Sequence, residues 1–542
     1  MKKFVKKTCL VLYLLFASTI IYAQTFTEKW VSCFGGIEWD EAQGVTQSDS
    51  SYWIIGTTLS NDGDISFNHG NKDLWLLKLD MYGNLINEKT FGGAKWEFGF
   101  SDLKKLNDTV LYIFGGTNSV DGDVHTNQWP TSAGNLWIVK TDNKGQILWE
   151  RVSGGQRGVG ECDFTLTNDG GVLAMGFALA DDGDVIDHHG FYDLWLIKLS
   201  DNGQKQWTLS LGGSGYDGGG GVIQTTDDGF LIAGNTDGSS GGNYDSTCNF
   251  HNSGSGYVDA WVVKLDTAHN IVWQQCYGGS NHDGCTNIIE LPDGYIILGH
   301  TSSDDGDVTG FHISQDPNYN DIWVFKIDKA GNLLWQKCLG GSNDDYARNI
   351  FTTTDGGYMI VGSTRSSDGD VTGYHGTHGW SDDIWFAKID STGNLLWQYC
   401  YGGIYDEFIY RGVIQKSDWD YVLAIGTETP EWRCYFGPNL RPDFRIVELY
   451  DSTVGVSVTP VKKTEVKVYP NPANSVLNIE LSNNPRANTT TIEMIDISGK
   501  QVLKYVPKNK TIHLDINQLK SGLYLVKIQT GTAITTQCII KR

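Results

Sequence analysis

Proline is scarce, with 11 in 542 residues, and methionine is scarcer still at 5. Beyond residue 23 no apolar run approaches the roughly 20 residues a membrane-spanning helix needs. CxxC, a Cys/His zinc spacing and HExxH are all missing, which removes the usual sequence support for a structural zinc or a zincin helix. Positive charge is also short: 41 Lys and Arg face 64 Asp and Glu, a formal net charge of −23. Such a chain repels nucleic acid and anionic lipid, and favours cations or neutral partners.

What is abundant points the other way. Gly 66, Trp 19 and Tyr 25 suit many short aromatic-rich strands joined by tight turns. Residues 1–23 stand apart: Lys2, Lys3, Lys6 and Lys7 precede an apolar run from Cys9 to Ile21 and then Ala23, the pattern of a secretory signal peptide. Nine cysteines follow it, an odd number that leaves at least one thiol unpaired within the chain. Cys33, Cys276, Cys338 and Cys400 recur at one repeat position and read as packing residues.

The chain repeats itself. "DIWVFKIDKAGNLLWQKCLGG" (321–341) returns as "DIWFAKIDSTGNLLWQYCYGG" (383–403), and the Gly-Gly marker occurs seven times, from Gly35-Gly36 to Gly402-Gly403, 57 to 66 residues apart. Each copy holds a half-polar run, an Asp-Gly turn, an apolar strand, a variable loop, a Trp-bearing strand, a short turn and a last strand ending in Gly-Gly. Four strands per copy, here called A to D from the innermost outward, predict an all-β seven-bladed β-propeller over residues 24–450. The lone first D strand, "EKWVSCFGG" (28–36), is expected to complete the last blade and remove an open edge. The Trp of each C strand (Trp75, Trp137, Trp195, Trp261, Trp323 and Trp385) is expected between blades. The segment "KIDSTGNLLW" resembles propeller repeats of the quinoprotein type, a likeness that implies the fold and little chemistry.

In that strand order the variable B-to-C loops and the D-to-A connections share one face, where function is expected. An acid recurs four residues after Gly-Gly: Asp40, Glu97, Asp217, Asp283, Asp345 and Glu407, with Glu161 displaced in the third copy. These form either a carboxylate ring at the channel mouth, with Asp217, Asp283 and Asp345 as ligand-binding candidates, or caps on their own turns. Asp-Gly-Asp recurs in the B-to-C loop as Asp62/Asp64, Asp121/Asp123, Asp182/Asp184, Asp305/Asp307 and Asp368/Asp370. Two carboxylates flanking a glycine can bend around Ca²⁺, the one candidate cofactor, although Asp-Gly is also a common turn. His69, His125, His188 and His375 follow several of these motifs. The seventh-copy loop carries Trp432, Arg433 and Tyr435, which could stack on a sugar or a partner side chain.

A polar stretch, residues 451–465, reads as a linker, and residues 466–542 as a small β-sandwich. Residues 461–542 hold twelve Lys and Arg against five Asp and Glu, a charge of +7 opposite in sign to the rest. Tyr469-Pro470-Asn471-Pro472, Ile497-Ser498-Gly499-Lys500 and "SGLYLVKI", with Gly522 and Tyr524, closely resemble the type A C-terminal sorting domain of the Bacteroidetes type IX secretion system. The resemblance implies the secretion machinery as partner and a product secreted or held at the cell surface. Function then divides between a binding or adhesion module for a polysaccharide or protein and a polysaccharide-active hydrolase or lyase using two channel-mouth carboxylates a few ångströms apart.

Overall fold

The structure is a computed structural model that describes residues 26–243, 250–251, 257–313, 319–376, 381–429, 442–451, 467–470, 472–480, 490–496, 500–507, 509–530 and 533–542. Among them every regular element is a β-strand, as period-two alternation and aromatic-rich runs dictate. No helix is long and apolar enough to cross a membrane. Contacts divide the chain into two units, Met1–Thr453 and Val454–Arg542.

The first unit contains seven antiparallel sheets. Sheets I to VI each take four consecutive strands in chain order, their A strands being Asp40–Gln47, Glu97–Asn107, Val159–Leu166, Asp217–Gln224, Asp283–Leu291 and Asp345–Thr352. In sheet VII the A strand is broken into Glu407–Phe408 and Val413–Ser417, both pairing with Asp420–Thr427. Its outer position is filled by the chain's first strand, Phe26–Phe34, antiparallel to Asp443–Asp451, with Phe26 opposite Asp451 and Phe34 opposite Phe444.

Apolar side chains gather into one cluster for each pair of successive sheets, and a further cluster joins Tyr52 and Trp75 of sheet I to Val422 and Phe444 of sheet VII. The seven sheets therefore pack in a cycle, an arrangement consistent with propeller blades. The six C-strand tryptophans are fully buried in these clusters. At roughly 200 Å² each and about 25 cal/mol per Å², each contributes about 5 kcal/mol of burial. Five of the indole N–H groups find an acceptor on the adjacent D strand, among them Trp75 with Glu88 at 3.0 Å and Trp385 with Gln398 at 2.8 Å, while that of Trp195 is buried without one among the described residues.

The other repeated letters are local devices. Lys388 of the C strand reaches Asp355 of the A-to-B turn at 2.9 Å, and Lys198 and Lys264 do the same with Asp169 and Asp227. Asp390 accepts backbone N–H groups of Thr392 and Asn394, closing the C-to-D turn around Gly393 at φ 86°. Cys276, Cys338 and Cys400 pack in the core clusters as expected, Cys338 and Cys400 as free thiols, whereas Cys33 and Cys276 are disulfide-bonded, a role the packing reading did not include. Export explains the difference, since an oxidising compartment lets equivalent positions take different roles.

In the second unit Lys467–Tyr469, Val476–Glu480 and Thr511–Asp515 form one sheet, and Gln501–Tyr505, Thr490–Asp496, Gly522–Thr530 and Ala533–Lys541 another. Leu477 and Ile512 from the first share one apolar cluster with Met494 and Val526 from the second.

Candidate functional site

Two places in the first unit concentrate polar chemistry, and they obey opposite rules. At the junctions between sheets the same residues recur. At the axis, where the A strands meet, each sheet brings something different.

The recurring acids begin the A strands and are shut away: Asp217 is 1% exposed, Asp283 and Asp345 0%. Asp283 accepts the backbone N–H of Gly279 and the Ser303 hydroxyl, both at 2.8 Å, and the hydroxyl of Thr301. Asp345 does likewise with Gly341 and Ser366 at 2.8 Å, and Asp217 with Gly213 at 2.7 Å. Each thus caps its own Gly-Gly turn, and the ring of solvent-facing carboxylates at a channel mouth is not what these oxygens form. Burial pushes their protonation up, to about 6 for Asp40, about 7 for Glu97, Asp217, Asp283 and Glu407, and about 8 for Asp345. A second buried acid from the preceding sheet adds repulsion: Asp321 acts on Asp345, Asp259 on Asp283 and Asp73 on Glu97.

That second acid begins a C strand and is bridged by a histidine. His69, His189, His312 and His375 set Nδ1 at 2.6 to 2.8 Å from Asp73, Asp193, Asp321 and Asp383, and His251 lies 3.2 Å from Asp259. The other ring nitrogen faces the next sheet, with His69 Nε2 3.4 Å from Asp123 and His312 Nε2 3.8 Å from Asp370. Hydrogen bonding to the acid raises His69, His251 and His312 above the usual imidazole value. Sequence reasoning chose His188 where the structure uses His189, and it missed His312, which follows Asp307 by the same five residues that separate His69 from Asp64, and His251, whose copy lacks the Asp-Gly-Asp motif. His125 donates only its backbone N–H, to Glu150. At the junction of sheets II and III, Asn135 replaces the C-strand acid and Val159 the A-strand acid, and Asn135 accepts the Gly155 N–H at 2.9 Å. Both charges of the pair are lost together.

The Asp-Gly-Asp loops clasp the Gly-Gly turn of their own sheet. Asp62 accepts the N–H of Ile37 at 3.0 Å, Asp121 that of Ala94 and Asp305 that of Ser280, both at 2.7 Å, and Asp368 that of Ser342 at 2.8 Å. Asp182 receives Gln156 N–H at 2.7 Å. The N–H of the second acid (Asp64, Asp123, Asp184, Asp307 or Asp370) donates to the first Gly carbonyl at 2.7 to 3.0 Å. The glycine between them sits at φ 63° to 66°, and a Cβ there would fall 2.1 to 2.5 Å from that carbonyl, so only glycine fits. Sheet IV keeps the clasp with other letters: Gly242 at φ 56° and Asn243, whose side chain accepts the Gly212 N–H at 2.8 Å. These backbone bonds account for the recurrence of the motif, the turn reading of the sequence, and among the described residues no three His, Cys, Asp or Glu side chains are grouped to hold a metal. Trp432, Arg433 and Tyr435 lie outside the described residues, as do Asn471 and Gly499 of the tail.

At the axis, every A strand of sheets I to VI carries a register shift. In five of them one residue is left unpaired, and the five side chains are all different: Gln43, Cys162, Gly220, Thr286 and Arg348. The broken A strand of sheet VII adds Tyr410 and Arg411. Arg411 crosses to the far side, where its guanidinium pairs with Asp163 and donates to the carbonyls of Cys162 and Gly220 at 3.2 and 3.4 Å. It lines two chambers, one of about 290 Å³ toward the loop face and one of about 330 Å³ toward the turn face.

The loop-face chamber is bounded by Glu161, Phe177, Tyr216, Thr286, His300 and Arg348, among others. Arg348 stacks over Tyr410 at 5.6 Å and makes no hydrogen bond or ion pair among the described residues, its Nε being buried without an acceptor. The carboxylate that acts on it, Asp382, is held by Arg365 at 2.8 Å. Burial lowers His300 to about 4, with Arg348 adding to the effect, and raises Glu161 to about 8. Glu161 is the displaced acid of the third copy, and its carboxyl fills space left by Gly99 and Gly116.

Residues 467–542 match the family of secretion system C-terminal sorting domains. They include Tyr469, Pro470, Pro472, Gly522 and Tyr524, with Tyr524 buried against the unit's core. The tail marks cargo of type IX secretion, so the protein is exported to the cell surface or released and engages that machinery. No curated protein matches the chain. Among solved structures it is similar to puromycin hydrolase (11% identity, 85% of this chain, 62% of that one, TM-score 0.41) and to the Kuenenia stuttgartiensis hydrazine synthase (12%, 65% and 78%, 0.36). A DUF4221 family member from Bacteroides vulgatus is also similar (8%, 79% and 98%, 0.33). This chain spans 62% of the length of the puromycin hydrolase chain.

Proposed function

We propose that the protein is an exported binding module: a signal peptide (1–23), a seven-bladed propeller (24–450) latched by its first strand, a linker (451–465) and a sandwich-like sorting domain (466–542). The ligand, a surface glycan or a protein-borne group, is seated on the axis in the loop-face chamber. One observation carries this reading. The repeat keeps its junction chemistry at every junction but that of sheets II and III, yet five sheets each supply a different side chain at the bulged axial position, which is where a ring of similar units acquires specificity.

Catalysis by a pair of the repeated carboxylates gains no support, because those groups are buried away from the chamber and each caps its own turn. A glycan array probed with the exported chain and with a Thr286→Phe variant tests the proposal. Binding lost in the variant, whose added ring fills the chamber, is the expected result; equal binding by both overturns the axial site.

A further inference from the structure

Among the described residues the other buried or half-buried arginines of the ring each face a carboxylate: Arg411 has Asp163, Arg445 has Glu28, Arg365 has Asp382, and Arg151 lies 3.8 Å from Asp184. Arg348 has none. An unpaired guanidinium away from bulk water is costly to keep, and it is compensated when an anion arrives to pair with it. The walls around it do not supply that anion. His300 is neutral at physiological pH, and Glu161, with its carboxyl held to about 8, is mostly protonated there and presents a donor.

The remaining surface is aromatic and sparsely polar: Phe177, Tyr216 and Tyr410 supply ring faces and edges, Asn235 and Thr286 hydrogen-bonding groups. Flat aromatic faces beside amide and hydroxyl groups suit a pyranose, whose C–H face stacks while its hydroxyls hydrogen-bond. A chamber of about 290 Å³ is at the small end of ligand sites, and Arg411 lies across its floor, so a polymer cannot thread through it.

Resting on the axial binding site proposed above, the geometry points to an acidic monosaccharide, a pyranose bearing one carboxylate, as the group bound, with Arg348 pairing to the carboxylate. Such a unit could stand free or end a surface glycan, and in either case it enters from the loop face.

The test is titration calorimetry on the full chain with glucuronate and galacturonate, their neutral twins glucose and galactose, and benzoate as a carboxylate without a sugar ring. The expected result is binding of at least one uronate, with its neutral twin and benzoate each at least about tenfold weaker. Arg348→Gln should erase the preference for the charged sugar while shifting the melting temperature by no more than a few degrees in either direction, and Arg348→Lys should recover part of it. Should Arg348→Gln not fold, Thr286→Phe, which blocks the chamber and leaves Arg348 in place, must abolish uronate binding. Neutral sugars binding as well as uronates overturns the carboxylate and leaves the axial site standing. Benzoate binding as well as uronates overturns the sugar. Silence from all five, alongside glycans captured on the array and still captured by Thr286→Phe, removes both readings.

Discussion

Asp345 and Arg348 lie three residues apart on one strand and belong to different economies of design. Asp345 repeats in kind around the ring, is fully buried, and is held by a backbone N–H and a serine hydroxyl within its own sheet. Arg348 occurs at its position in one sheet only, is held among the described residues by the face of Tyr410 alone, and borders a chamber. The difference teaches how a repeat protein separates the residues that build it from those left free to vary. What must be the same in every copy is set where a sheet meets its neighbour, and what must differ is set where all sheets meet.

The comparison can be broken most severely by removing the strand both regions depend on. Deleting residues 26–34 exposes the outer edge of Asp443–Asp451 and strips Phe34 from the cluster joining sheets I and VII. Loss of the cooperative unfolding transition and aggregation on heating are expected, measured by circular dichroism and light scattering. A folded, monomeric product with unchanged melting would refute the latch. Next in size, Asp345→Ala leaves the Gly341 N–H and Ser366 hydroxyl buried without their acceptor, and should cost about 3 kcal/mol in urea unfolding. A loss below about 1 kcal/mol would mean the junction acids do not hold the turns.

The third effect is on pH. The A-strand acids are raised in the folded state, to about 6 to 8, so folded protein holds protons that unfolded protein has released above about pH 4. Stability therefore falls as pH rises from about 5 through 8. His69, His251 and His312, raised by their Asp partners, give up stability in the same direction as pH passes through their folded values. Melting temperature should drop by several degrees between pH 5 and pH 8.5, and Asp345→Asn, which removes one of the raised carboxyls, should shallow that slope. A flat or rising profile would contradict the paired-acid geometry. The smallest expected effect sharpens the contrast: Arg348→Gln should change stability by less than about 1 kcal/mol, in either direction, while Asp345→Ala on the same strand is severe.

The repeated half of this design was readable from the chain. Gly-Gly spacing, the buried Trp and the acid four residues on recur often enough to show what a sheet needs, and the alternation in "DIWFAKID" is enough to sort its two faces. Choosing between caps and a mouth ring for Asp283 was not possible, because both readings need only the same spacing. The clasp in sheet IV was hidden because Gly242-Asn243 performs the backbone job of Gly-Asp with different letters. The axis was illegible for another reason. Arg348, Tyr410, Arg411 and His300 carry no motif, and they meet only because strands some 60 residues apart converge when the cycle closes. The register shift that turns Arg348 toward the centre has no signature in "DYARNIFT".

The pairing of Phe26 with Asp451 also sets a clock. A chain emerging end first has its opening strand available from the outset, but that strand's partner arrives more than 400 residues later. Six sheets can settle against one another in the interval, yet the cycle stays ajar, and the chamber at its centre has no floor until Arg411 has come out and swung across. Closure of the cycle, and of the chamber on its axis, therefore waits for residues 443–451.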